Sequence, residues 1–260
     1  MKTKVIVLGV IVFMLSFLPA YVSGISTPDT AAASATETTP MLTRNEEPAG
    51  VSPLAVPIRN LWGAPKGEVV DLTISRSGKV VSWSWSRQHP VTRPGVAYIQ
   101  PIYPNARITL KSPITVGEIE SFFLAADFLY TRPTTGSYSL AYDVSLREKG
   151  SKDPKVEIMV WLDWTQKQPP LSLKGFCSDG ENIYSKYWWE KADGTAYRSF
   201  LLTLPQGVAI RPVNLKALID LIEPDEDWYI SEVELGTEVW SGSGAVELNA
   251  YYLELNGVRL

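Results

Sequence analysis

Nine consecutive residues, Val156-Glu157-Ile158-Met159-Val160-Trp161-Leu162-Asp163-Trp164, constrain the fold more than any other stretch of the chain. Side chains alternate between the two faces of a β-strand. Read that way, Val156, Ile158, Val160, Leu162 and Trp164 form one row, and Glu157, Met159, Trp161 and Asp163 form the other. The first row is an ordinary apolar face for packing on a second layer. The second pairs two carboxylates with a thioether and an indole. A solvated face more usually carries Lys, Thr, Ser and Glu, so this row reads as the wall of a cleft.

A second segment repeats the arrangement. In Ile230–Trp240, Val233, Leu235 and Val239 form an apolar row, and Glu232, Glu234, Glu238 and Trp240 stand opposite. Other strand-like runs are Glu68–Ser75, Lys79–Ser86, Ala97–Ile102, Arg107–Leu110, Ser121–Tyr130, Ser137–Arg147, Asn182–Lys191, Ala196–Leu204 and Ala245–Leu255. Turn-forming residues separate them, including Lys149-Gly150-Ser151, Ala192-Asp193-Gly194 and Ser241-Gly242-Ser243-Gly244. Many short strands at such spacing predict an all-β, two-sheet antiparallel sandwich of jelly-roll type. One segment departs from the pattern. Leu215, Leu218, Ile219 and Ile222 recur at helical spacing before Pro224, which predicts a single amphipathic helix packed on the back of a sheet.

The first 24 residues are not expected to belong to the fold. A basic start, Met1-Lys2-Thr3-Lys4, precedes an apolar run from Val5 to Leu18, and Val22-Ser23-Gly24 offers small residues for cleavage. This predicts a secretory signal peptide and a secreted, extracellular protein. An uncleaved anchor, which would tether the protein to the cell surface, is the alternative. Residues 25–54, rich in Thr, Ala, Ser and Pro, read as a linker, because such a composition buries too little apolar surface to offset its ordering entropy. Residues 55–260 then form one domain, expected to be monomeric. The lone Cys177 excludes an intramolecular disulfide. The single histidine, His89, rules out a multi-histidine metal site, and neither a metal nor another cofactor is expected. A net charge of −4 does not suit a nucleic-acid partner.

Two acid-bearing strands, each with a tryptophan beside a glutamate, can place one carboxylate on either side of a groove. Paired carboxylates flanking a glycosidic bond are the equipment of glycoside hydrolysis. Aromatic side chains are also abundant, with nine Trp, twelve Tyr and seven Phe, and their faces suit the apolar face of a pyranose.

Four motifs, in order, strengthen this reading: Asn60-Leu61-Trp62-Gly63, Ala141-Tyr142-Asp143, Glu157-Ile158-Met159-Val160-Trp161-Leu162, and Gly236-Thr237-Glu238 followed by Trp240-Ser241-Gly242. Together they resemble glycoside hydrolase family 12, small β-1,4-glucanases with a jelly-roll fold and a concave substrate cleft. The resemblance covers roughly residues 58 to 260. It implies that Glu157 is the nucleophile, Glu238 the general acid/base and Asp143 the carboxyl group hydrogen-bonded to the nucleophile. It further implies that Asn60 and Trp62 bind sugar on the non-reducing side, and that Met159 and Trp161 line the subsite where the bond breaks. Trp83 and Trp85 resemble a tryptophan pair of the family, whereas the stretch from Arg87 to Pro94 has no counterpart. Met159 on its own would ordinarily be core filling, and Glu232 and Glu234 are expected to be solvated acids.

The implied activity is retaining hydrolysis of internal β-1,4-glucosidic bonds in cellulose or a related β-glucan, by double displacement. Glu157 would attack as the anion beside a protonated Asp143, and Glu238 would first donate and then accept a proton. Two alternatives remain: a xyloglucan-specific endoglucanase, and a non-catalytic carbohydrate-binding sandwich. The sequence assigns no role to Asp163.

Overall fold

The computed structural model describes residues 51–92, 98–132, 134–165, 172–203 and 212–260. The expected signal segment, residues 25–50 of the expected linker and residues 93–94 lie outside them. Val51, expected in the linker, instead bridges Tyr251 and is buried.

One strand of 27 residues, β12 (Tyr229–Leu255), organises the domain. Its first half pairs with β4 (Asn105–Thr115) and β6 (Ser137–Leu146). Its second half pairs with β3 (Val80–Arg87) and β5 (Phe122–Arg132). The two strands expected at 230–240 and 245–255 are therefore one, and it belongs to both sheets. The Ser241–Gly244 segment, expected as a turn, is where it passes between them. Gly242 sits at φ 90°, which only glycine adopts without steric cost. A Cβ on Gly244 would run into the Trp85 ring. Small residues here mark close approach rather than chain reversal.

The site-bearing sheet runs β1 (Ala55–Ile58), β4, β12, β6, β7 (Val156–Trp164), β10 (Ala196–Leu202), β9 (Ile183–Glu190), β8 (Ser172–Ser178). Against it lies a sheet of β2 (Asp71–Ser77), β3, the second half of β12, β5 and the short β11 (Val213–Asn214), with β13 (Val258–Arg259) closing a hairpin onto β12. The result is the expected two-sheet jelly roll. One ladder, β7 with β10, is parallel, because β8 and β9 intervene in the chain before β10 returns beside β7. Strands β1, β8, β11 and β13 were not apparent from the sequence, and no strand forms over 98–101, although Ile102 bridges Val239.

The core fills the space between the sheets. Trp83 and Trp85, alternating with serines on β3, are both buried there, so the supposed family pair is core. Trp83 Nε1 donates to Thr237 Oγ1 at 2.9 Å. Arg87 extends the same inward row and is fully buried. The helix α1 (Leu215–Asp220) is capped by the Asn214 side chain, which accepts from the Ala217 amide at 3.2 Å. It buries Leu215, Leu218 and Ile219 and abuts β5. It ends before the expected Ile222, because the chain turns and Glu223 takes φ 54° ahead of Pro224.

Candidate active site

On β7 the alternation holds up to Trp161. Ile158 and Val160 enter the core, whereas Met159 and Trp161 join a second cluster with Ala141, Tyr187 and Leu201 on the other face of the sheet. A bulge then changes the outcome. Ala141 pairs with Trp161 but the adjacent Leu140 pairs with Asp163, which leaves Leu162 as the extra residue. Leu162 stays in the core, and the two residues after it exchange faces. Asp163 turns into the space between the sheets, where it accepts from the hydroxyl of Tyr130 on the opposing β5 at 2.6 Å and from that of Tyr138 on the adjacent β6 at 3.4 Å. Trp164 turns to the cleft face and packs near Trp161, with ring centroids 6.3 Å apart. This corrects the sequence reading of both residues: Asp163 ties the sheets together, and Trp164 takes its place in the cleft wall.

Met159 and Trp161 are themselves buried, beneath Trp164 and Trp240. The Trp161 and Trp240 centroids are 6.1 Å apart. Met159 and Trp161 thus form a floor under the partly buried Trp164 and Trp240. Trp62 is different, since 47% of its surface is open. Its amide donates to the Asn60 side-chain oxygen at 3.1 Å, and the Asn60 carbonyl accepts from the Tyr103 amide at 2.9 Å. Asn60 therefore holds the Trp62 loop to the segment leading into β4.

The structure brings the three expected carboxyl groups into one electrostatic unit. Asp143 on β6 feels the charges of Glu157 on β7 and of Glu234 and Glu238 on β12. Burial raises its carboxyl well above the usual range, those three carboxylates add to the shift, and Arg147 opposes it. Burial and the neighbouring carboxylates thus favour the protonated form of Asp143. Burial also raises Glu157, and Glu234 adds to this. Three groups pull it back down: a hydrogen bond from the Tyr197 hydroxyl and the positive charges of Lys191 and Arg147. The Tyr197 phenol is itself pushed up by burial and by Glu157, so it remains a donor. Glu238 accepts from the Ser139 hydroxyl at 3.1 Å. Gly236, two residues before it, admits no side chain, because a Cβ there would meet the backbone and side chains of Tyr103–Asn105.

Glu234 is not a solvated acid. It is 9% exposed and accepts from Arg107 Nε at 2.6 Å and from the Asn105 amide at 3.1 Å. Glu232 pairs with Arg107 at 3.3 Å and Arg147 at 3.2 Å. An alternating chain of charges thus flanks Asp143. Sequence reading missed Tyr197, Trp164, Arg107 and Arg147. Tyr197 was in principle visible: it alternates with Ser199 and Leu201 on β10, opposite Ala196 and Phe200. Its partner was not, because the parallel pairing that sets Tyr197 beside Glu157 joins segments forty residues apart.

The chain resembles known proteins in sequence and in fold. Over 211 residues the chain is 23% identical to Endoglucanase S of Pectobacterium parmentieri, covering 75% of this chain and 80% of that protein. It is 28% identical over 198 residues to the Xyloglucan-specific endo-beta-1,4-glucanase A of Aspergillus aculeatus, covering 72% and 79% respectively. Among solved structures, the native family 12 xyloglucanase from Bacillus licheniformis superposes with a TM-score of 0.64 at 20% identity, over 78% of this chain and 94% of that one. Endoglucanase 3 of Trichoderma harzianum does so with 0.64 at 21%, over 80% and 93%. The model of glycosyl hydrolase family 12 matches residues 53–256, nearly the whole of the two-sheet domain, and the chain belongs to that family.

Proposed function

We propose that the protein is a retaining endo-β-1,4-glucanase, with Glu157 as nucleophile, Glu238 as general acid/base and Asp143 as the protonated neighbour of the nucleophile. The observation that carries this reading is the convergence on Asp143 of carboxylates from β7 and β12, strands whose glutamates lie far apart in the chain. Asp143 takes up the proton that the crowded carboxylates require, which leaves Glu157 free to ionise. Tyr197, Lys191 and Arg147 favour that anion. Glu157 attacks the anomeric carbon while Glu238 protonates the departing oxygen. Once the glycosyl ester has formed, Glu238 takes a proton from a water that attacks the anomeric carbon, and the bond to Glu157 breaks to release its carboxylate. Trp62 offers an open indole face to a pyranose, and Trp164 and Trp240 line the wall above Met159 and Trp161.

Both sugar classes named among the relatives suit this site. Cellulose-like chains and xyloglucan share the backbone that the carboxylates would cleave, and they differ in side groups that meet the groove loops. We further read residues 1–24 as a secretory signal, supported by their basic start and apolar run, which makes the substrate an extracellular polysaccharide.

A panel of soluble β-glucans, including carboxymethyl cellulose, mixed-linkage glucan, glucomannan and xyloglucan, tests this by reducing-sugar release and by the anomer of the first product. The expected result is release with retained configuration, abolished in Glu157→Gln while polysaccharide binding persists. An inverted product, or undiminished release by Glu157→Gln, would refute the mechanism. Binding without release by the wild type would point to a carbohydrate-binding module.

A further inference from the structure

Beside the carboxylates, on the same face of the sheet, lies a group that the reaction does not consume. Tyr197, Trp189 and Lys191 share that face because β9 and β10 are antiparallel, with Tyr197 directly opposite Trp189 and Lys191 continuing the row into the hairpin turn. The Trp189 and Tyr197 rings lie 5.2 Å apart at 37°. The ammonium of Lys191 stands 4.4 Å from the Tyr197 ring centroid. The turn is well defined: Lys191 exchanges backbone hydrogen bonds with Thr195 and Gly194, and the Asp193 carboxylate accepts from the Thr195 amide at 2.9 Å. Gly194 provides the φ of 88° that closes it. An indole on one side and an ammonium near the ring therefore restrain the tyrosine whose hydroxyl reaches Glu157.

We propose that Tyr197 is a positioning residue for Glu157, and that Trp189 and Lys191 of the β9–β10 hairpin hold it in place. The inference rests on Glu157 being the nucleophile. The hydroxyl fixes one carboxylate oxygen and leaves the other free to attack. Lys191 adds a positive charge that favours the Glu157 anion. The charged groups acting on Glu157 include Asp143 of β6, Arg147 just past the end of β6, Glu234 of β12 and Lys191 of the turn, with Glu238 of β12 joined to them through Asp143. Arg198 of β10 is occupied with Glu190 at 3.2 Å. Two cations act directly on Glu157, Lys191 and Arg147, and Arg147 is shared with Glu232.

The test is the pH profile of kcat/KM on whichever neutral soluble glucan the wild type cleaves, for Tyr197→Phe, Lys191→Met and Lys191→Arg, with Glu157→Gln as control. Removing a donor or a cation disfavours the anion, so the acid limb should move to higher pH. In Tyr197→Phe, kcat/KM on that limb should fall about tenfold, the scale of one hydrogen bond to a charged group. KM and melting temperature should scarcely change. Lys191→Met should shift the limb the same way by less, and Lys191→Arg should restore it. A limb that stays in place in both Tyr197→Phe and Lys191→Met, or a loss confined to KM or to stability, would overturn the positioning role alone. Full activity of Glu157→Gln would sink the nucleophile assignment and the proposal with it.

Discussion

Replacing Arg87 with Leu should destabilise the domain by about 3–5 kcal/mol, the cost of breaking a buried ion pair by removing one partner. Both ends of the pair are enclosed, with 0% of the Arg87 side chain and 1% of the Glu68 side chain exposed. The guanidinium donates to Glu68 at 2.5 and 3.1 Å, and to the carbonyls of Gln100 at 2.6 Å, Val239 at 2.8 Å and Gly63 at 3.3 Å. Leu fills part of the volume but leaves the Glu68 carboxylate without its counter-charge, takes the guanidinium donor from the Gln100 and Gly63 carbonyls, and leaves the Val239 carbonyl with only the Ile102 amide. For a domain of about 200 residues, each kcal/mol lowers the melting temperature by roughly 2–4 °C, so a fall of about 6–20 °C is expected. Arg87→Leu combined with Glu68→Leu should recover a substantial part of the loss, because the stranded carboxylate is then gone. The same contacts join Gly63, next to Trp62, to Val239, next to Glu238. The single variant should therefore also raise KM at temperatures where it remains folded. Urea denaturation of the wild type, both single variants and the double variant gives the cycle. A loss below about 1 kcal/mol for Arg87→Leu, or a double variant as unstable as the sum of the singles, would refute the reasoning.

Two further outcomes follow from the site. Asp143 has a raised folded-state pKa, so its contribution to stability is complete below the ordinary carboxylate pKa of about 4 and is lost as pH rises through the raised value. Asp143→Asn, which mimics the protonated form, should therefore flatten the decline in melting temperature on the alkaline side, whereas an unchanged slope would show that Asp143 ionises normally. Trp62→Ala should raise KM about tenfold or more, the scale of one large apolar contact, with little change in melting temperature because the side chain is half exposed; an unaltered KM would remove Trp62 from the binding surface.

Much of the site could be read from residue order alone, for a local reason. Glu157 and Met159, like Glu234 and Glu238, are set on one face by the two-residue period of their own strand. The period misled where the ladder was irregular. Leu162 is an apolar residue in an apolar run, and nothing local marks it as the bulge that exchanges Asp163 and Trp164. Arg87 falls just past the expected strand Lys79–Ser86, in the stretch that has no family counterpart, yet it ends β3 as a buried residue. Its partner, Glu68, lies in another segment and becomes visible only once both are folded. Glu234 was expected in water for the same reason, since Arg107 belongs to a different strand.

The sequence by itself determined the class of fold, the two acid-bearing faces and the family, because alternation and motif order are properties of neighbouring residues. Tertiary structure decided which carboxyl groups are buried together around Asp143 and which tyrosine lies beside Glu157. It also decided that β12 serves both sheets. Charge states depend on burial and on groups brought close by strand pairing, and pairing between distant segments is settled only when the two sheets close on a common core.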